Sequence, residues 1–365
     1  MTQNFPVSFT DANGVTRSNN TVEFMDAGGG ADPDLPLVIL LHGLLGSASN
    51  MTNPDYNYNN MFAVPATVDR GWHWYPNAGV WSFEEDPLMT VTSWRKALNT
   101  AGFPTLVYNQ IGNNGFLASP TLELKAIMEQ VVLQNFANKK LAFVAHSRGG
   151  LLLRNFLVGC RGENNFLNRI VSAVTLHSPN QGTELANIGS AVIAAIDALS
   201  KSPVAGAGAG FAAVLNWLRA QVDCPALQEL RVSSPFLAAL AAKEPVPGIR
   251  YHTFGGTSTR WIRVRSNTFT AGSLLPQWNV PPFHWFTVPV QLISLLDGVP
   301  GLSALAPELR SGSGDTLVTN ARAHLSFSAS RHTNALNHAE PLFDPTLQKQ
   351  VINILRAAVG KPPLP

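Results

Sequence analysis

A serine hydroxyl attacks at neutral pH only when an imidazole stands by to take its proton, and the imidazole needs a carboxylate to hold its tautomer and balance its charge. Among the serines of this chain, Ser147 is set apart by its surroundings in Leu141-Ala-Phe-Val-Ala-His-Ser-Arg-Gly-Gly150. Leu141 to Ala145 is a compact apolar run containing a β-branched residue, suited to a strand covered on both faces. Gly149, Gly150 and the following Leu-Leu-Leu-Arg-Asn-Phe-Leu read as a helix packed close beneath it. Between them, Ala145-His-Ser-Arg-Gly149 carries small residues at both ends, which a sharp strand-to-helix turn requires if its neighbours are not to clash. Such a turn lifts the serine Oγ above the sheet, and the helix start below it favours developing negative charge. The chemistry on offer is nucleophilic attack through a covalent intermediate.

The flanking segments supply the frame for this serine. Val7 to Arg17 and Val22 to Met25 alternate around Asn13-Gly14 as a hairpin. Pro36 to Gly43 is a buried strand ending in His42-Gly43-Leu44-Leu45-Gly46, where glycine lets backbone approach and the N–H of Leu44 can point at a carbonyl oxygen, as an oxyanion hole needs. Ser47 to Pro87 is rich in Asn, Tyr and Trp and keeps neither helical nor strand periodicity for long, so it reads as an insertion beside a pocket. Asp69 and His73 within it have metal-ligand chemistry, but a lone histidine among tryptophans is ordinarily a packed residue, and no metal is expected. Trp94 and Leu98 before Gly102 predict a helix, Thr105 to Gln110 a strand, and Ser119-Pro120 a helix start with the serine as cap, leading into Leu124, Ile127, Met128 and Val131. Strand, helix, strand, helix and elbow strand in that order is the doubly wound α/β pattern.

Beyond the elbow, Ile170 to Leu176 is another buried strand, and His177, lying before the following loop rather than in it, reads as structural. Leu185, Ile188, Val192, Ile196 and Leu199 have helical spacing, as do Phe211, Val214, Leu215, Leu218 and Val222, with the glycine-rich stretch Pro203 to Gly210 between them. This pair is either a moving lid over an apolar cleft or a fixed cap. Gly248 to Gly256 is the next strand, and the long segment after it supplies another pocket wall. Asp344-Pro345 caps a closing helix with Leu347, Val351, Ile354 and Leu355 inward; Gly360 ends it, leaving Lys361 to Pro365 as a loose tail.

A serine on such a turn takes its acid and then its histidine from later in the chain. Asp315 and His338 satisfy that order, each in a turn-rich loop after an expected strand. His324 and His332 are rival bases, although His332 falls at the start of the last strand, below its carboxyl edge. Asp297 and Asp344 are rival acids, Asp344 being better explained as a cap.

Composition narrows the partners. With 45% hydrophobic and 13% charged residues the chain can bury a large core, and a net charge of +2 without Lys/Arg runs argues against nucleic acid. Met1 to Pro6 lacks the basic start and apolar core of a signal peptide, so the expected location is cytoplasmic by default, or secreted if a leader has been removed. The two cysteines, Cys160 and Cys224, allow at most one disulfide, and whether they pair is open.

Leu41-His-Gly-Leu-Leu-Gly46, Ala145-His-Ser-Arg-Gly-Gly150, Gly314-Asp-Thr-Leu-Val318 and Asn337-His-Ala-Glu340, in that order, resemble the α/β-hydrolase superfamily, in particular its bacterial lipase and esterase branch. Ser178-Pro-Asn-Gln-Gly182 and Ser234-Pro-Phe-Leu237 are similar to the segments leading into and out of a lipase cap. Two departures stand out: Ala145 replaces the first elbow glycine, and Thr316 stands where the acid loop often has glycine. The resemblance implies an α/β-hydrolase fold, with a mostly parallel sheet flanked by helices. It would be one domain over residues 1–365, with insertions at 47–88, 183–247 and 258–312 forming the cap and pocket walls. It also implies Ser147 as nucleophile, Asp315 as acid, His338 as base, and the N–H groups of Leu44 and Arg148 as oxyanion donors. The activity implied is hydrolysis of carboxylic esters with an apolar acyl group, without a cofactor, on a small-molecule ester or lipid, with transient contact to a lipid interface through the lid. Thioesterases, amidases and polyester depolymerases use the same machinery, and a hydrolase-fold protein that only binds an apolar ligand is the alternative of another class.

Overall fold

The computed structural model describes residues 2–28, 32–44, 46–52, 92–112, 114–187, 224–258, 306–310 and 312–365, together with the strand backbones of 70–75, 80–85, 262–266 and 284–290. The hairpin opens the chain as β1 (Thr2–Thr10) and β2 (Thr16–Met25), paired antiparallel and turning at Gly14 with φ 77°. There follow β3 (Leu37–Leu41), the short helix α1 (Ala48–Thr52), β4 (Arg70–Tyr75), β5 (Val80–Glu85), α2 (Trp94–Thr100), β6 (Thr105–Tyr108) and α3 (Ala118–Ile127). The elbow region is β7 (Leu141–His146) and α4 (Arg148–Gly159), then β8 (Ile170–Leu176). Further along come α5 (Pro225–Leu230), α6 (Pro235–Ala241), β9 (Tyr251–Gly256), β10 (Ile262–Ser266), β11 (His284–Val290), β12 (Ser330–Asn334) and α7 (Pro345–Ala357).

The main sheet has eight strands in the order β1-β2-β6-β3-β7-β8-β9-β12, antiparallel at the hairpin edge and parallel from β6 onward. Its central strands are apolar on both faces because each face is covered. Leu37, Ile39, Leu41, Phe143 and Ala145 pack with Leu124 and Ile127 of α3 and Leu151 and Leu152 of α4. The alternate residues Val38, Leu40, Ala142 and Val144 pack with Trp94 and Leu98 of α2 and Leu347, Val351 and Leu355 of α7. Each Leu, Ile, Val or Phe side chain among these, fully buried, contributes about 1.5–3 kcal/mol. Leu230 of α5 and Leu237 of α6 join the first of these cores.

Several local expectations are corrected. Ser119 does not cap α3. The helix starts two residues earlier, at Ala118 instead of Pro120, the N–H of Leu117 is taken by both carboxylate oxygens of Glu229 at 3.0 Å, and Ser119 Oγ accepts from Ala12 N. The segment 47–87, expected to lack sustained periodicity, contains α1, β4 and β5. Those two strands pair antiparallel, Trp72 opposite Phe83, in a separate four-stranded sheet ordered β11-β10-β4-β5. In α7 the buried positions are Leu347, Gln348, Val351, Ile352 and Leu355, with Ile354 only partly buried against the same core. Residues 361–365 are not a loose tail: Lys361 Nζ lies 2.9 Å from both Asp32 and Asp34, the N–H of Leu364 donates to Asn353, and Lys349 donates to the carbonyl of Pro365. Cys160, buried, and Cys224 are both free thiols. The two expected cap helices lie, except for residues 185–187, outside the described residues, as do Asp69 and Asp297. Among the described residues no helix is long and apolar enough to cross a membrane.

Candidate active site

The carboxyl ends of β3, β7, β8 and β9 meet at one rim of the sheet. Ser147 sits there between β7 and α4 with φ 54° and ψ −130°, the left-handed strain that a bare turn between strand and helix imposes. Its N–H donates to Leu176 O at 2.9 Å, and its carbonyl accepts from Gly150 at 3.0 Å. Gly149 is required by close approach: a Cβ there would stand 2.6 Å from the carbonyl oxygen of His42. The turn after β3 is therefore seated directly on the elbow: a Cβ on Gly43 would likewise stand 2.8 Å from the Cβ of Ser147 and 3.3 Å from its Oγ.

The histidine loop after β12 brings His338 Nε2 to 2.8 Å from Ser147 Oγ and His338 Nδ1 to 2.8 Å from Asp315 Oδ2. Three side chains separated by up to 191 positions thus form one hydrogen-bonded line. The Asp315 loop is locked to the histidine loop by backbone as well, since His338 N donates to Asp315 O at 3.1 Å. Asp315 Oδ1 accepts from the N–H groups of Leu317 at 3.0 Å and Val318 at 2.7 Å. Burial by itself would raise this carboxyl, but the charge and hydrogen bonds of His338 and His177 outweigh it and hold Asp315 well below the usual carboxylate range. A carboxylate accepts only, so Nδ1 of His338 carries its proton and Nε2 faces the serine as an acceptor. That arrangement can take a proton from Ser147 and return it to a leaving group.

The rival residues are elsewhere. His324 Nδ1 bonds Thr253 Oγ1 at 2.9 Å; His332 stacks on Phe254 with ring centroids 4.5 Å apart and bonds Ser330; Asp344 caps α7 by accepting from Leu347 N at 2.7 Å. Three further histidines crowd the rim. His146 Nε2 donates to the carbonyl of His338 at 2.7 Å, and burial lowers its pKa to about 3. His42, lowered by burial to about 4, bonds Gly43 O through Nδ1 and accepts from Gln110 N through Nε2 at 3.0 Å. His177, set aside from sequence as structural, places Nδ1 2.9 Å from the same Asp315 Oδ2 that His338 uses. Its position at the carboxyl end of the strand next to β7 was the available signal.

The Arg148 side chain was also not foreseen. Its guanidinium donates to Gly115 O and to Glu229 Oε2 at 2.9 Å, a buried pair that ties the elbow to α5.

His177, Asp315 and His338 are, among the described residues, the one group with metal-ligand atoms close together. Their 2.8 and 2.9 Å nitrogen–oxygen separations are those of shared protons. Ligands around a tetrahedral ion with bonds of about 2.0–2.1 Å would stand roughly 3.3 Å apart. The geometry fits hydrogen bonding better than ligation.

No protein-family model matches the chain, and no curated protein matches it in sequence. Among solved structures, the mature form of Bacillus licheniformis lipase BlEst2 is similar at 16% identity and a TM-score of 0.50, with 91% of this chain and 97% of that chain covered. The propeptide form of the same lipase is similar at 15% identity and a TM-score of 0.51, covering 94% of this chain and 54% of that one. What such a likeness carries is architecture, and with a mostly parallel sheet wrapped by helices on both faces, the chain has the α/β-hydrolase fold.

Proposed function

We propose that this protein is a serine hydrolase of carboxylic esters with an apolar acyl group. The observation that carries the reading is the line from Ser147 Oγ through His338 to Asp315, with both links at 2.8 Å. In it, His338 Nε2 takes the proton as Ser147 Oγ adds to the ester carbonyl, and the N–H groups of Leu44 and Arg148 receive the oxyanion. Collapse expels the alcohol, which leaves with the proton held by His338, and an acyl-serine remains. Water, deprotonated by the same imidazole, then releases the acid and restores the serine. Asp315 stays ionised throughout and stabilises the imidazolium.

We assign the acyl group, and contact with a lipid surface, to the apolar stretch between residues 188 and 223, whose Ile188, Val192, Ile196, Phe211, Leu215 and Leu218 have helical spacing. The experiment is reaction with a fluorophosphonate probe, followed by hydrolysis of p-nitrophenyl esters of increasing acyl length. Labelling of wild type that is lost in Ser147→Ala, with turnover of medium-chain esters, is expected. A folded wild-type protein that neither labels nor turns over any ester of the series would leave a ligand-binding hydrolase fold as the better account.

A further inference from the structure

We propose that His177 is a positioning residue of this site: its Nδ1–H holds the Asp315 carboxylate and, by sharing one oxygen with His338, tunes how strongly that oxygen attracts a proton on His338. The inference rests on the serine-hydrolase reading and deepens it. Its ground is geometric. His177 is completely buried at the end of β8, with φ 49° and its N–H bound to Phe254 O at 2.8 Å. Nδ1 lies 2.9 Å from Asp315 Oδ2, while Nε2 has no hydrogen-bond partner among the described residues. That pattern fits one protonation state. An ionised Asp315 can only accept, so Nδ1 is protonated; a second proton on Nε2 would be a buried donor with nothing to bind, so the ring is neutral.

The fold goes out of its way to allow this contact. Gly256, at the end of β9, has no side chain where a Cβ would meet the Cε1 of His177 and stand 2.7 Å from the Cβ of Asp315. Asp315 thus accepts four hydrogen bonds, two on Oδ1 from its own loop and two on Oδ2 from imidazoles on different loops. Asp315 therefore keeps its direction when His338 moves its proton, because three of the four bonds do not involve the base. The second donor also draws electron density from Oδ2, which weakens the pull of that oxygen on the Nδ1 proton of His338. The other titratable groups around the pair are His146 from the elbow, Asp344 from the start of α7 and His324, which faces His177.

The test is the pH profile of kcat/KM on a p-nitrophenyl ester, with folding followed by thermal melting. Asparagine puts an amide N–H close to where Nδ1 lies and tolerates positive φ; glutamine puts it one bond further out, near Nε2. His177→Asn is expected to keep the acid limb of the wild type. His177→Gln is expected to move it upward by about half a pH unit or more, with a loss of kcat of about tenfold and little change in KM. His177→Phe, which removes the donor altogether, should behave as the glutamine variant if the ring fits beside Gly256; the asparagine and glutamine pair decides the matter if it does not. Equal acid limbs in folded Asn and Gln variants of an active enzyme overturn the proposal. A wild type that does not label with fluorophosphonate overturns the hydrolase reading instead, so the two failures are distinguishable.

Discussion

Replacing Asp315 by asparagine changes one oxygen for an NH2 group and so tests the proton logic of the site with little change of shape. In the protein Oδ2 receives two imidazole N–H donors, at 2.8 Å from His338 and 2.9 Å from His177. An amide nitrogen there cannot accept, so both rings must turn to the tautomer with the proton on Nε2. For His338 that proton then points at Ser147 Oγ, 2.8 Å away, where the lone pair of the base had been. The serine loses its acceptor while every heavy atom stays close to its place. The amide oxygen can still serve the N–H groups of Leu317 and Val318, so the stability cost is that of the two altered imidazole contacts, chiefly the His177 Nε2 proton left without a partner among the described residues, about 1–3 kcal/mol. The loss in kcat, by contrast, is expected at about 10⁴-fold, which is roughly 5.4 kcal/mol of transition-state stabilisation. The assay is steady-state hydrolysis of p-nitrophenyl butyrate beside a thermal melt and fluorophosphonate labelling. An Asp315→Asn protein that melts near wild type and keeps more than a tenth of its kcat would refute the assignment of Asp315 as the partner of the base.

Three more outcomes follow from the packing. Gly256→Ala would push its methyl to 2.5 Å from Leu336 O and 2.7 Å from Asp315 Cβ, so the acid loop must shift. We expect about 1–3 kcal/mol of lost stability and up to about 10²-fold lower kcat, and activity within twofold of wild type would contradict that contact. Burial raises the Glu123 carboxyl from 4.5 to about 8, where it accepts from Ile111 N and from the Asn20 amide. A carboxyl raised on folding keeps its proton in the native state after the unfolded chain has lost it, so its effect on stability worsens as pH rises between those two values. Glu123→Gln should therefore gain Tm relative to wild type across that window, and a difference flat with pH would exclude the linkage. Arg154 and Glu244 form a buried two-bonded pair, at 2.9 and 2.5 Å. Glu244→Ala strands the guanidinium and should cost roughly 3–5 kcal/mol by urea unfolding; a loss under about 1 kcal/mol would show the pair to be dispensable.

The sequence by itself determined the features that depend on near neighbours. A strand covered on both faces must be apolar at consecutive positions, which marks Leu37–Leu41, Leu141–Ala145 and Ile170–Leu176 without reference to the rest of the chain. A strained turn tolerates only small residues at its ends, which marks Ser147, and Asp344-Pro345 ahead of a helically spaced apolar run marks a helix start. Local signals were weaker for β4 and β5, whose strands are defined by pairing with each other and with β10. They misled at Ser119, where the helix begins earlier and a carboxylate more than a hundred residues away takes the N–H of Leu117 just before it. They also misled at the C-terminus, where Lys361 finds Asp32 and Asp34.

Which acid and which base face the serine was decided by tertiary structure. His324, His332 and His338 are all histidines near the closing strand, and only the way β12 lies beside β9 and the loop after it folds back over Asp315 selects His338. The same packing brought in His177, a residue with no local mark of its role. A hydrogen bond is won within tenths of an ångström, and the ends of loops far apart in the chain are placed to that accuracy only once the cores on both faces of the sheet have set the strands in register.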